Sequence, residues 1–474
     1  MIKMRVSNRS QNNMGEITKS TRAYALPTQS QPIALSTEFT YDSWGRMLQI
    51  VYPDGEILNY GYDRGGQLKS MQGVKDSCTY NYLIDQKYDK FGAKTEMAYG
   101  NYMVTKYIYN PLNLRLDSLA VSLQLNNYLT MGYDYDAKGN VTSLNSTYTW
   151  LSNDSIIRQT FTYDSTDQLT AAMGKINNRT SLYNVAVTYG NWGKIRGYTT
   201  SMNGTDTFMY PTTNLTSTHF APESSVNNGQ TTIYDFGING SLRKKAKGDT
   251  TEYYLFNANN CMKAYSNNAE QYAYYGYDAS GERTYKLSAN TITISTNGLI
   301  TVQALDVQNI MLYPNGYLNI NQSGEYTKHY YADALRIASK IGSGFNQDIC
   351  DSANAIDSAY LNNRILEQNT VIQNNLYEVA LTDSIDTLIL SNPYPDFCYL
   401  QGNGGQETGL FYYHPDHLGS TGMVTDNNAT VTQGFLYAPF GEILTEYNPS
   451  WQNGQVPKYS FNAKELDEEN GMYY

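Results

Sequence analysis

A chain of 474 residues, with 46 Tyr, 37 Gly and only 16% charged residues, is long enough for several ordinary domains or for one continuous repeat structure. Its formal net charge of -11 and pI near 4.9 exclude the clustered Lys and Arg of a nucleic-acid surface. Cys78, Cys261, Cys350 and Cys398 lack the CxxC spacing of a zinc site or disulfide framework, and no stretch reaches the length of a membrane span.

Residues 1–35 read as a lead-in, because no apolar signal region follows Met1-Ile2-Lys3-Met4-Arg5 and no repeat motif is visible there. Beyond them Tyr dominates, with 46 against 13 Phe and 4 Trp. Tyr is a strand former with a polar tip, suited to a half-wet β-surface. Abundant Gly, Asn and Asp then predict short strands joined by tight turns, not a helical bundle.

The unit FTYDSWGRMLQIVYPDGEILNYGYDRGGQL carries Tyr-Asp-x-x-Gly at Tyr41-Asp42 with Gly45, and again at Tyr62-Asp63 with Gly66. Echoes follow at Tyr88-Asp89 with Gly92, Tyr135-Asp136 with Gly139, Tyr163-Asp164, Tyr189-Gly190 with Gly193, Tyr234-Asp235, and Tyr277-Asp278 with Gly281. Neighbouring echoes lie mostly about 20 to 28 residues apart, a spacing of repeat architectures rather than globular enzymes. Tyr ends a strand, Asp accepts backbone N–H bonds in an Asx turn, and Gly supplies the positive φ that closes the hairpin. Between turns, Leu48, Ile50 and Tyr52 alternate with Met47, Gln49 and Val51, and Pro53-Asp54-Gly55 makes a second turn.

One repeat is therefore two strands and two turns. A lone hairpin is marginal, so successive hairpins must pair edge to edge. About ten units predict an antiparallel sheet of roughly twenty strands, which must curl because open sheets rarely exceed about ten strands flat. The expected fold is all-β, a spiral wall over residues 36–341 and 406–474, with the tyrosines as scaffold ladders rather than ligand platforms. The basic run Arg243-Lys244-Lys245-Ala246-Lys247 reads as a solvated hairpin tip.

Residues 342–405 break the pattern. Leu361, Ile365, Ile372, Leu376, Val379 and Ala380 recur at near-helical spacing up to Pro393 and Pro395, which predicts a short helical insertion outside the sheet or capping it. Gln401-Gly402-Asn403-Gly404-Gly405 lacks the helix and Lys of a phosphate-binding loop.

At Phe411 the sequence changes character. FYYHPDHLGSTGMVTD (Phe411 to Asp426), YAPFGE (Tyr437 to Glu442, with Pro439, Phe440 and Gly441) and FNAKELDEENGMYY (Phe461 to Tyr474) resemble, in that order, the associated core module of the rearrangement-hotspot (RHS) family. With the Tyr-Asp repeats, the likeness covers most of the chain. It implies a β-spiral closing into a hollow cocoon, secreted or on the cell surface and used in bacterial competition, whose partner is a C-terminal toxin domain held inside. Related shells occur in insecticidal toxin complexes and teneurin adhesion receptors, so a surface glycan or receptor is the alternative partner. Ala463 stands where the family usually has Gly, Met472 replaces a usual Leu, and Asn428-Ala429 a usual Asp-Gly. The family motif normally runs on past the paired tyrosines at Tyr473-Tyr474, so the expectation is a truncated copy whose open sheet end self-associates.

The strongest catalytic candidates are His414, Asp416, His417 and Ser420, beside Gly419 in the core motif. Two His could begin a metal site, but the other histidines are only His219 and His329, and a site needs further ligands in reach. A serine triad is disfavoured because neighbours on one turn rarely reach the required geometry. Glu465 with Asp467, in the acidic run Asp467-Glu468-Glu469, could suggest glycoside hydrolysis, but reads as a solvated turn. The expectation is a shell without catalytic residues, cofactor or metal.

Overall fold

The computed structural model describes residues 3–25, 33–151, 155–201, 204–210, 221–267, 271–296, 300–343, 385–389, 406–448, 464–467 and 469–473. Among these, 33 strands share a single sheet. Nearly every strand pairs antiparallel with the next in sequence, from Lys3–Gln11 on Ile17–Ala25 to Val431–Tyr437 on Ile443–Tyr447. The first and last strands are not paired with each other, so the sheet is an open ribbon, not a closed barrel. Helical geometry among the described residues is confined to the three-residue turn Asn191–Gly193.

The all-β expectation holds, but several boundaries move. The sheet begins at Lys3, well inside the lead-in, where Asn12 does the work that Asp does in the repeats. The strand count exceeds the twenty inferred from motifs, because turns such as those at Asn12 and Asn257 lack the Tyr-Asp pair. Tyr234-Asp235 lies within the strand Gln230–Phe236, and the turn falls two residues later, where Gly237 N–H donates to the Ser241 carbonyl. The basic run is a strand, Leu242–Lys247, not a tip, and Lys245 meets Glu252 across the sheet at 2.7 Å.

The insertion is bridged directly: Leu335–Ser343 pairs with Gln406–Pro415, so the ribbon continues across it. Within it, Ile385–Ile389 is a strand, paired parallel to Ile300–Asn315. That piece joins the sheet instead of standing outside it. Leu361, Ile365, Ile372, Leu376, Val379 and Ala380, on which the helical expectation rests, lie outside the described residues. At the other end the last main-sheet strand among the described residues is Ile443–Tyr447, and Leu466–Asp467 with Met472–Tyr473 forms a separate two-stranded piece.

The ribbon curls until its walls meet. One core cluster joins residues from Phe39 to Ile157 with residues from Tyr330 to Leu436, and a second joins Tyr24, Ile33 and Leu35 to residues from Ala264 to Tyr326. Polar tips of the core tyrosines tie the walls together: Tyr52 Oη donates to the His329 carbonyl at 2.9 Å, and Tyr412 Oη to the Asn81 carbonyl at 2.7 Å. Glycines inside strands serve this packing. A Cβ at Gly174 would lie 2.4 Å from the Tyr183 ring, and one at Gly276 only 2.0 Å from the Tyr285 ring, so each Gly is the seat for an aromatic of the next strand.

Candidate functional site

The repeat turns share one geometry. Asp42 Oδ1 accepts from Trp44 and Arg46 N–H, Asp136 Oδ1 from Gly139 and Asn140 N–H, and Asp278 Oδ1 from Ser280 and Glu282 N–H. Asp63 Oδ1 accepts from Gln67 N–H. Gly45, Gly66, Gly139 and Gly281 all take positive φ, as the motif requires. Where the Gly is missing, after Tyr163-Asp164, Asp167 adopts φ 64° in its place.

The motif tyrosines do more than end strands. At four of them the hydroxyl donates to a main-chain carbonyl just after the preceding turn: Tyr41 to Ile17, Tyr62 to Met47, Tyr135 to Leu116 and Tyr163 to Val141, at 2.7 to 3.1 Å. Tyr189 to Leu169 and Tyr437 to Thr421 repeat the contact. This ladder is why Tyr, not Phe, recurs. The regular spacing of Tyr was visible in the sequence, but its partner was not.

The core motif forms the same turn. Asp416 Oδ1 accepts from Leu418 N–H at 2.8 Å and Ser420 N–H at 2.9 Å, and Gly419 has φ 88°. Burial pushes Asp416 up to about 6 against the pull of these N–H donors. His414 is fully buried with its ring edge-on to Tyr99, and its Nε2 is 2.9 Å from Thr425 Oγ1. Burial lowers its pKa to about 3, so it is neutral. His417 points elsewhere, its ring packed edge-on against Tyr133. The two histidines thus face different aromatics rather than a common centre. In YAPFGE, Gly441 has φ 95°, the Phe440 ring meets Tyr198, and Glu442 Oε1 accepts from Tyr198 Oη at 2.6 Å. A cavity of about 350 Å³ lies between the motif turns, lined by Asp416, His417 and Pro439 together with Tyr148 and Tyr163 of the facing wall.

Sequence reasoning missed the two charge networks that join the walls. In the first, Lys328 Nζ contacts Asp54 at 2.7 Å, Glu407 at 2.7 Å and Glu56. Lys75 adds a 2.9 Å bond to Asp54, and Lys340 a 2.8 Å bond to Glu407. Burial alone would raise Asp54, but Lys328 and Lys75 outweigh it and hold the carboxyl at about 2. The carboxylates of Asp54, Glu56 and Glu407 come close enough to surround a cation, and the ammonium of Lys328 supplies that charge. Burial, with the Lys328 cation nearby, depresses Lys340, whose Nζ sits 3.2 Å from the Tyr80 ring centre.

The second network corrects the expectation of a solvated acidic turn. Asp467 is buried and bidentate with Arg283, at 2.8 and 2.7 Å, and accepts from Lys286 at 2.9 Å. Lys286 also meets Glu469 at 2.9 Å. Burial raises the neighbouring Glu465, which accepts from Tyr313 Oη at 3.1 Å. These acids clamp the C-terminal piece onto the ribbon. Nothing local in the sequence pairs Arg283 with Asp467, which lie 184 positions apart.

A second cavity, of about 590 Å³, opens beside this clamp. The rings of Phe39, Tyr317 and Tyr331 follow one another along it, with centroids 6.1 and 5.7 Å apart, and Arg22 and Asp278 form its polar corner.

No protein-family model and no curated protein sequence matches this chain. Solved structures do. The fold follows TcdB2-TccC3 with a TM-score of 0.68 and 15% identity, over 98% of this chain and 22% of that one. The Photorhabdus luminescens Tc holotoxin pore, carrying a TccC3 mutation, matches with a TM-score of 0.66 and 16% identity, over 98% of this chain and 21% of that one. TcdB2-TccC3 without its hypervariable C-terminal region gives a TM-score of 0.61 at 15% identity, covering 98% and 21%. The chain thus spans about a fifth of the length of these neighbours, and its curled all-β ribbon shares their fold.

Proposed function

We propose that the chain is a section of wall in an RHS-type shell that encloses a toxin domain belonging to the same protein. The observation that carries this is the continuous curled ribbon, similar to TcdB2-TccC3 over 98% of its length; the support is at the level of fold. One solved neighbour is described as lacking a hypervariable C-terminal region, and a segment of that kind is the cargo assigned here. A 100-residue domain has a radius of gyration of about 13 Å, so the 590 and 350 Å³ cavities are far too small for it. Cargo is held by the complete spiral, and this section contributes rigidity through the Glu56 and Asp467 networks. Its role is mechanical rather than catalytic, and secretion, surface exposure and bacterial competition belong to the same reading.

Limited proteolysis of the full gene product tests it. The toxin region should survive protease levels that destroy the same region expressed by itself, and should become cleavable when Glu56→Ala loosens the wall. Equal cleavage of enclosed and free forms would overturn the shell reading.

A second reading, binding of a surface glycan or receptor, draws on the aromatic wall of the 590 Å³ cavity, since ring faces beside Arg22 and Asp278 suit a sugar. Retention on a glycan array that Tyr317→Ala abolishes would favour it.

A further inference from the structure

Antiparallel strands joined in chain order place their turns alternately on the two long edges of a ribbon. Counted along the ribbon, the turns at 12–16, 42–46, 89–93, 110–115, 190–194, 237–241, 416–420 and 438–442 therefore share one edge, whereas the turns at 321–325 and 426–430 fall on the other. Their tips carry Met14, Trp44, Phe91, Leu112, Trp192, Ile238, Leu418 and Phe440, between 47% and 94% exposed. The opposite edge turns through Asp54-Gly55, Asp76-Ser77, Asn177-Asn178 and Asn228-Gly229, and its large exposed apolar residues among those described are Tyr102, Leu125 and Ile156. The two rims of one wall differ in polarity.

We propose that the apolar rim rests on a zwitterionic phospholipid surface, its tips entering the headgroup layer. This goes beyond the shell reading and does not depend on it. Three observations select lipid. First, the tips carry little backbone desolvation cost: the N–H groups of Met14, Trp44, Phe91, Leu112 and Leu418 are each bonded to the Asx oxygen two residues earlier. An unpaired N–H would oppose entry into an apolar layer. Second, cations stand over the rim rings. Arg46 lies 4.7 Å from the Trp44 ring centre, Lys90 4.9 Å from Phe91, and Lys194 6.0 Å from Trp192. An aromatic body beside a long cation is the combination that fits an acyl boundary below phosphates. Third, a net charge of -11 is repelled by anionic membranes but not by a surface of zero net charge.

The chain has four Trp. Trp44 and Trp192 sit on the rim and Trp150 is 9% exposed; with the fourth, Trp451, replaced by Phe in every form tested, a shift in Trp emission reports rim contact. Titrating the full chain with phosphatidylcholine vesicles should shift emission to the blue and protect it from acrylamide. The double variant Phe91→Ser with Leu112→Ser keeps both reporters and should raise the lipid concentration at half-saturation by on the order of tenfold or more. Tyr102→Ser with Leu125→Ser, on the other edge, should leave it unchanged. Circular dichroism of both variants should match the parent, since all four side chains are exposed. Three results would each overturn the proposal: no shift at saturating lipid, equal weakening by the two double variants, or a blue shift that grows with protein concentration in the absence of vesicles. The last would assign the rim to a second copy of the chain.

Discussion

The rings of Tyr82 and Tyr330 stack across the two walls with centroids 3.7 Å apart, and both hydroxyls donate to the carboxylate of Glu56. The wall-to-wall contact is thus centred on a fully buried acid that also faces Lys328 and Lys340. Glu56→Ala leaves those two ammonium groups short of a counter-charge, and breaking a buried pair in this way costs about 3–5 kcal/mol. Urea unfolding should show that loss, and a change under about 1 kcal/mol would mean the network does not hold the walls. Asp54 acts in the same network with a depressed pKa near 2. Its contribution is full above the unfolded value of 3.8 and disappears as pH falls toward 2, so parent stability should drop across that window.

Asp416 has the opposite sign. Its folded pKa near 6 lies above the ordinary 3.8, so its contribution is present at low pH and is lost as pH rises through 6. Asp416→Asn keeps the Asx acceptor, as Asn12 and Asn257 show in their own turns. The variant should match the parent near pH 3.5 and exceed it by about 1–3 kcal/mol at pH 8. Thermal melts at the two pH values decide it, and a difference independent of pH would refute the assignment.

The tyrosine ladder makes a prediction about additivity. Tyr62→Phe and Tyr163→Phe each remove one hydroxyl bond to a main-chain carbonyl, at 2.7 and 2.9 Å, and each should cost about 1 kcal/mol. The two rungs share no partner, so the double variant should show the sum. Denaturant midpoints with unchanged slopes would confirm this. Neutral substitutions would show that the rings, not the hydroxyls, matter.

Arg283→Met removes the bidentate partner of Asp467. The C-terminal piece should then detach, and trypsin should cut at Lys464 many times faster than in the parent, while the ribbon's circular dichroism is retained. Cleavage at the parental rate would show that Lys286 and Tyr275 suffice to hold it.

Asp76 and Ser77 both take positive φ, 48° and 65°, in a two-residue turn that suits Asp-Gly. Ser77→Gly should stabilise the chain by about 0.5–1 kcal/mol. A lower melting temperature would contradict the turn geometry.

The strands, the Asx turns and the curling of a long sheet were legible at Tyr41-Asp42-Gly45 and its echoes, because a hairpin turn is encoded within five residues and a repeat states it many times. The turns at Asn12 and Asn257 were missed only because Asn replaces Asp, though its side-chain oxygen makes the same bonds. The basic run was misplaced only in its element, since Lys244 is exposed as expected but lies on a strand rather than a tip. The acidic run was misplaced for a different reason: Asp467 and Glu469 look solvated to any local rule, since burying a charge is costly unless a partner arrives. For Asp467 the partner is Arg283, and for Glu56 it is Lys328, 272 positions away. Local chemistry determined that this chain is a ribbon of hairpins with polar-tipped aromatics. Only the tertiary structure decided which charges are buried, because that depends on which walls of the ribbon meet once it has curled.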